Sequence, residues 1–105
     1  MLGSGTTVAA TAARFDWSRA GHIFRAAPGH VSPVTQASRA RFAQLFEKVG
    51  SNPANARPDF PLPQGAVQAG VHAYTQTFRS GKQVWVYVRN GLIQDAGVNR
   101  PGALR

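Results

Sequence analysis

The sequence predicts an α+β fold in which one main helix packs on a three- to four-stranded antiparallel sheet. Three observations carry this reading. Residues 71–99 divide into three strand-like runs, VHAYTQTF, QVWVYVRN and GLIQDAGVN, rich in β-branched and aromatic residues. Two turn signals separate them, Ser80-Gly81 and Asn90-Gly91, the second being the stronger type I′ signal. Upstream, Val34, Ser38, Phe42, Leu45, Phe46 and Val49 recur at helical spacing between a Ser-Pro start and Gly50.

If both hairpin loops have two residues, Gln76 pairs with Trp85, Tyr74 with Tyr87 and His72 with Arg89. Alternation then puts Val71, Ala73, Thr75, Thr77, Val84, Val86, Val88 and Ile93 on one face, small and nearly uncharged, which reads as the core side. The other face carries His72, Tyr74, Gln76, Phe78, Trp85, Tyr87, Arg89 and Gln94. Rings alternating with hydrogen-bonding groups and cations suit a ligand of flat bases and phosphates. Cross-strand aromatic pairing with solvated polar groups would give the same pattern.

In chain order, residues 1–14 are expected to be a flexible linker to something upstream, with some helical tendency over Val8 to Arg14. Residues 15–105 are expected to form a single domain. Phe15 and Trp17 are expected to anchor its start. Gly21 and Pro28-Gly29 bracket His22 to Arg25, a short run that can supply a fourth strand. Ser32 can cap the helix and Pro33 occupy its first turn, with Gly50 as the stop. Phe42, Leu45, Phe46 and Val49 are then expected to cover the small-residue face of the sheet. Residues 50–70, with Pro53, Pro58, Pro61 and Pro63, are expected to be a long loop.

Charge is the informative part of the composition. Ten Arg and two Lys against three Asp and one Glu give +8, and the isoelectric point is near 11.6. That balance is the footprint of a nucleic-acid binder, and Arg in place of Lys favours bidentate phosphate contact and stacking. An anionic membrane surface fits less well, because no long basic amphipathic helix is visible. No run reaches transmembrane length, and the N-terminus lacks the pattern of a secretory signal. With no Cys, disulfides, thiolate metal sites and cysteine nucleophiles are excluded.

RNA can be cleaved without a metal or cofactor if one group takes the 2′-hydroxyl proton, another protonates the leaving oxygen and a cation holds the phosphate. Imidazole can do either proton task and Arg is the fitting clamp. His22, Arg25 and His30 supply that set within nine residues. Arg89 is a second candidate for the phosphate and His72 a reserve proton carrier. Tyr74, Gln76, Trp85 and Tyr87 are the candidate base-binding side chains. A structural histidine bonded to a loop carbonyl is the usual alternative for either His. Asp16, Glu47, Asp59 and Asp95 are scattered along the chain, which disfavours a two-metal nuclease. Glu47 reads as a solvated helix charge.

The run GHIFRAAPGHV, a following helix, and a hairpin QVWVYVRNG ending in DAGVN together resemble C-terminal toxin domains of bacterial polymorphic toxins of the Rhs and contact-dependent inhibition types. The resemblance covers about residues 17–101. Many such toxins are similar to the barnase, EndoU, colicin and RelE group of ribonucleases, which pack a helical part against an antiparallel sheet and cleave RNA on its open face. The resemblance implies a metal-independent ribonuclease, commonly acting on tRNA and neutralised by an immunity protein encoded beside it. The +8 surface makes that protein small and acidic by expectation, and the domain is expected to be a monomer apart from it. It also implies delivery as the end of a larger bacterial protein and action in the target cell's cytoplasm. Its GHIFR and GHV segments map to His22, Arg25 and His30. Barnase-like enzymes often use a Glu base, and only Glu47 is on offer here. A non-catalytic RNA- or DNA-binding module, a basic domain for an acidic protein partner and an ADP-ribosyltransferase are the rival readings.

Overall fold

The computed structural model describes residues 12–105. The elements are α+β, but the sheet is mixed rather than wholly antiparallel. Strands β1 (Arg14–Phe15), β2 (His72–Thr77), β3 (Gln83–Arg89) and β4 (Leu92–Asn99) form one four-stranded sheet in the order β1-β4-β3-β2. β2, β3 and β4 make the antiparallel meander that the turn signals predict, and β1 lies parallel to β4. The helices are α1 (Ala20–Ile23), α2 (Gln36–Gly50) and α3 (Gln64–Gln68).

The fourth strand is therefore Arg14–Phe15 and not His22–Arg25. Asp16 caps a 3-10 turn by accepting the Ser18 N–H, and α1 follows at once, so His22 is helical. Only Phe24 of that run touches a strand-like partner, in a single bridge to Val31. Most of the linker expected over residues 1–14 falls outside the described residues. Its last residues belong to the packed body, with Ala13 buried and Arg14 paired to Leu92.

α2 starts three residues later than Ser32-Pro33 suggests. Thr35 and Ser38 satisfy each other's backbone N–H groups in a capping box, and that reciprocal bond fixes the first turn. Gly50 does not stop the helix by turning left-handed. It ends the helix buried, where a Cβ would lie 3.1 Å from Val86 Cγ1 and 3.3 Å from Ala13 Cβ. Glycine lets the end of α2 approach the sheet.

The core lies between α2 and one sheet face. Phe46, Val49, Val86, Ile93 and Ile23 are fully buried there, each contributing about 1.5–3 kcal/mol of apolar transfer. Phe15 stacks on Phe24 with ring centroids 5.2 Å apart and lies 6.5 Å from Phe46, so it anchors the N-terminal segment. Trp17 packs on the outside of Phe15 and is half exposed. Glu47 is not a free surface charge: its carboxylate accepts the Phe15 N–H at 2.9 Å and holds β1 to the helix.

The β2–β3 register differs by one residue from the two-residue-loop prediction. The loop has three residues, closed by Phe78 N–H to Lys82 O at 2.8 Å, with Gly81 at φ 91°. A type I turn followed by one left-handed residue needs only a single glycine, whereas type I′ would also force Ser80 to positive φ. Thr75 thus pairs with Trp85 and Tyr74 with Val86. A one-residue slip turns every β2 side chain over. Tyr74 packs against the core, while Ala73, Thr75 and Thr77 share the open face with Trp85 and Tyr87. The second turn is as expected, with Asn90 at φ 52° and Gly91 at φ 76° joining Arg89 to Leu92.

Residues 50–70 are more ordered than a plain loop. They hold a 3-10 turn at Pro53–Asn55 and then α3. Arg57 N–H donates to Ala73 O, and Ala56 bridges Tyr74. The segment so covers the outer edge of β2, which would otherwise be an open pairing edge. Among the described residues no helix is long and apolar enough to cross a membrane.

Candidate functional site

A β-bulge in β4 creates the site. Tyr87 pairs with Asp95 but the next residue, Val88, pairs with Ile93, so Gln94 is extra. The insertion lets Ile93 and Ala96 both face the core while Asp95 turns to the open face beside Tyr87. Arg19 Nε donates to the Gln94 carbonyl at 2.7 Å and fixes the bulge.

α1 and the loop after it bring His22, Arg25 and His30 over that carboxylate. Arg25 Nη1 donates to His22 Nδ1 at 3.2 Å, and its Nη2 donates to His30 Nε2 at 3.0 Å. A guanidinium can only donate, so both of these ring nitrogens are acceptors. The protons then sit on the other nitrogens. His22 Nε2 faces Asp95 Oδ2 at 3.4 Å. His30 Nδ1–H donates to the Ile23 carbonyl at 3.0 Å, with Asp95 Oδ1 farther off at 3.9 Å. Asp95 Oδ1 also accepts the Ala96 N–H at 3.0 Å. One cation thus ties two neutral imidazoles together above one carboxylate. The His22 side chain is 45 % exposed, the His30 side chain only 4 %.

The loop that carries His30 docks on the sheet through Trp85. The indole Nε1–H donates to Gly29 O at 2.9 Å, and His30 meets the ring edge-on at 5.2 Å between centroids. Gly97 lies beneath this contact, where a Cβ would collide with the Gly29 carbonyl and stand 2.8 Å from the indole. The absence of a side chain at 97 lets the loop come down onto the sheet.

The base-binding candidates fare differently. Trp85 is on the open face, but only 1 % of it is exposed. Gly29 and His30 cover its edge, and the Arg105 guanidinium covers a face 4.0 Å from the ring centroid. Tyr87 is partly buried, 4.8 Å from Trp85 and 5.9 Å from Phe60, its hydroxyl accepting from Arg105. The register slip removes three candidates from this face. Tyr74 points to the core, Gln76 accepts from Asn55 opposite Val84, and His72 pairs with Val88. Arg89 is exposed at the turn end of β3, paired with Leu92.

Sequence reasoning brought His22, Arg25 and His30 together and missed Asp95 and Arg19. Asp95 stood in the DAGVN run, but only the bulge directs it to the histidines. Among the described residues no three His, Cys, Asp or Glu side chains converge as a metal-ligand set. Glu47, committed to Phe15 N–H on the helix side of the sheet, does not belong to this cluster. Comparison with protein-family models, curated proteins and solved structures finds no match for this chain.

Proposed function

We propose that this protein is a metal-independent ribonuclease of the toxin type, cleaving tRNA or another RNA by attack of a 2′-hydroxyl on the adjacent phosphate. The observation that carries the reading is the single guanidinium held between His22 and His30 over Asp95. A phosphate entering this gap draws Arg25 onto its oxygens, a stronger charge-assisted pairing than guanidinium with neutral imidazole. That movement frees His22 Nδ1 to take the 2′-hydroxyl proton, while Asp95 stabilises the imidazolium through Nε2–H. It also frees His30 Nε2, which takes up a proton from water once Arg25 has left it and delivers that proton to the 5′-oxygen as the P–O bond breaks. The His22 imidazolium returns its proton to water afterwards. The products are a 2′,3′-cyclic phosphate and a 5′-hydroxyl. The +8 charge speeds encounter with RNA.

The same charge supports an acidic protein inhibitor that pairs with Arg25 and Arg89 and excludes RNA, with salt-dependent association. A cell making such an enzyme needs one. Delivery as the end of a larger bacterial protein belongs to the same proposal.

The test is incubation with total tRNA in EDTA, followed by end-group analysis. Fragments ending in 2′,3′-cyclic phosphate are expected, and His22→Ala should slow their release on the order of 10²–10⁴-fold while RNA affinity holds. Cleavage that needs added magnesium refutes the mechanism. Tight RNA binding with no cleavage leaves the non-catalytic binding module. Full activity in His22→Ala returns that residue to a structural role.

A further inference from the structure

The open face contains a second built site, one residue deep, and the chain's own Arg105 fills it. Gln83 and Asn99 form its wall, both nearly fully buried, with Asn99 Nδ2 donating to Gln83 Oε1 at 3.0 Å. The Gln83 amide then reads the backbone of residue 105 in both directions: its Oε1 accepts Arg105 N–H at 2.8 Å and its Nε2 donates to Arg105 O at 3.1 Å. Arg57 Nη1 reaches the same carbonyl at 3.4 Å. The guanidinium lies over Trp85 at 4.0 Å and donates to the Tyr87 hydroxyl at 3.1 Å. These contacts are specific, yet Arg105 and Leu104 both count as exposed and contribute nothing to the apolar core.

A flat, delocalised group stacked on an indole, beside a buried amide offering one donor and one acceptor, is also the description of a bound nucleobase. Stacking on aromatic rings is how bases outside a duplex are held. A Gln amide matches the donor–acceptor edge of adenine, N6–H with N7. The site shares Trp85 with the loop that carries His30 and lies beside Tyr87, the cross-strand neighbour of Asp95. A nucleotide with its base here would have its phosphate near the Arg25 gap. We infer that the Trp85–Gln83–Tyr87 slot is a nucleobase subsite with an adenine-type edge, and that Arg105 occludes it in the free protein. The inference rests on the RNA reading above, and it is tested by binding, with no cleavage involved.

Trp85 reports on the slot once Trp17 is replaced. In a Trp17→Phe background, acrylamide should quench Trp85 weakly in the full chain and several-fold more strongly when Leu104 and Arg105 are removed. AMP should then bind the shortened chain roughly tenfold more tightly than the full chain, the range expected for one stacked base. Arg105→Ala, which opens the ring but leaves the backbone on Gln83, should show a smaller gain. Thermal melting verifies that both variants fold. Equal AMP affinity with and without residues 104–105, or displacement of AMP by ribose 5-phosphate at equal concentration, overturns the subsite. If AMP binds as expected but tRNA is never cleaved, the slot stands and the ribonuclease reading fails. If tRNA is cleaved and AMP ignores the slot, the ribonuclease stands and this inference fails.

Discussion

Replacing Gly97 with Ala tests whether the histidine loop and the sheet are one unit. The added Cβ would stand 2.8 Å from two atoms of the Trp85 ring and overlap the Gly29 carbonyl. Neither neighbour can yield easily. The indole is buried and pinned by its bond to Gly29 O, and the carbonyl is backbone. Either β4 shifts or the loop lifts. Overpacking of this kind costs about 1–3 kcal/mol. Lifting also leaves the buried indole N–H without its acceptor, about 1–3 kcal/mol more if water does not replace it. The reduced entropy of the unfolded Ala chain returns about 0.4–1 kcal/mol. The middle of these ranges is a net loss of roughly 3 kcal/mol, and at about 4–8 °C per kcal/mol for a domain of this size Tm should fall on the order of 10–25 °C. Differential scanning fluorimetry or calorimetry reads this directly, and RNA cleavage below the new Tm should also drop because His30 moves with Gly29. Gly65→Ala is the control: it lies in α3 with nothing within 4 Å of the added methyl, so it should be neutral or slightly stabilising. A Gly97→Ala protein that melts within about 2 °C of the parent would refute the docking argument.

Trp85→Ala should destabilise by roughly 3–5 kcal/mol, measured by urea unfolding, because the ring is buried beneath the loop and Arg105; unchanged stability with weakened RNA binding would instead make it an exposed stacking platform. Glu47→Ala should lower stability by about 1–3 kcal/mol through the orphaned Phe15 N–H, while cleavage per folded molecule stays at the parent rate; loss of cleavage without loss of stability would make Glu47 a base after all. Thr35→Ala should cost about 1 kcal/mol in the same unfolding assay by removing half of the capping box, and no change would mean that the helix starts elsewhere.

Elements whose causes are local were legible in the residues alone. Asn90-Gly91 dictated a type I′ turn because only residues tolerant of positive φ fit it. Phe42, Leu45, Phe46 and Val49 placed one stripe of α2 on the sheet through helical periodicity alone. The nearness of His22, Arg25 and His30 was legible because the three lie within nine residues of one another. Tertiary structure decided what depends on contacts between distant segments. A single φ angle at Gly81 moved the β2 register and sent Tyr74 and Gln76 to the core side. The bulge at Gln94 turned Asp95 toward the histidines, and its Arg19 anchor is 75 residues away in sequence. Trp85 reads as an outer-face ring from its alternation, which is correct, but its cover comes from Gly29, His30 and Arg105. Alternation specifies which way a side chain leaves a strand. It does not specify whether another segment lands on top of it, because that depends on loop closure and on the missing Cβ of Gly97.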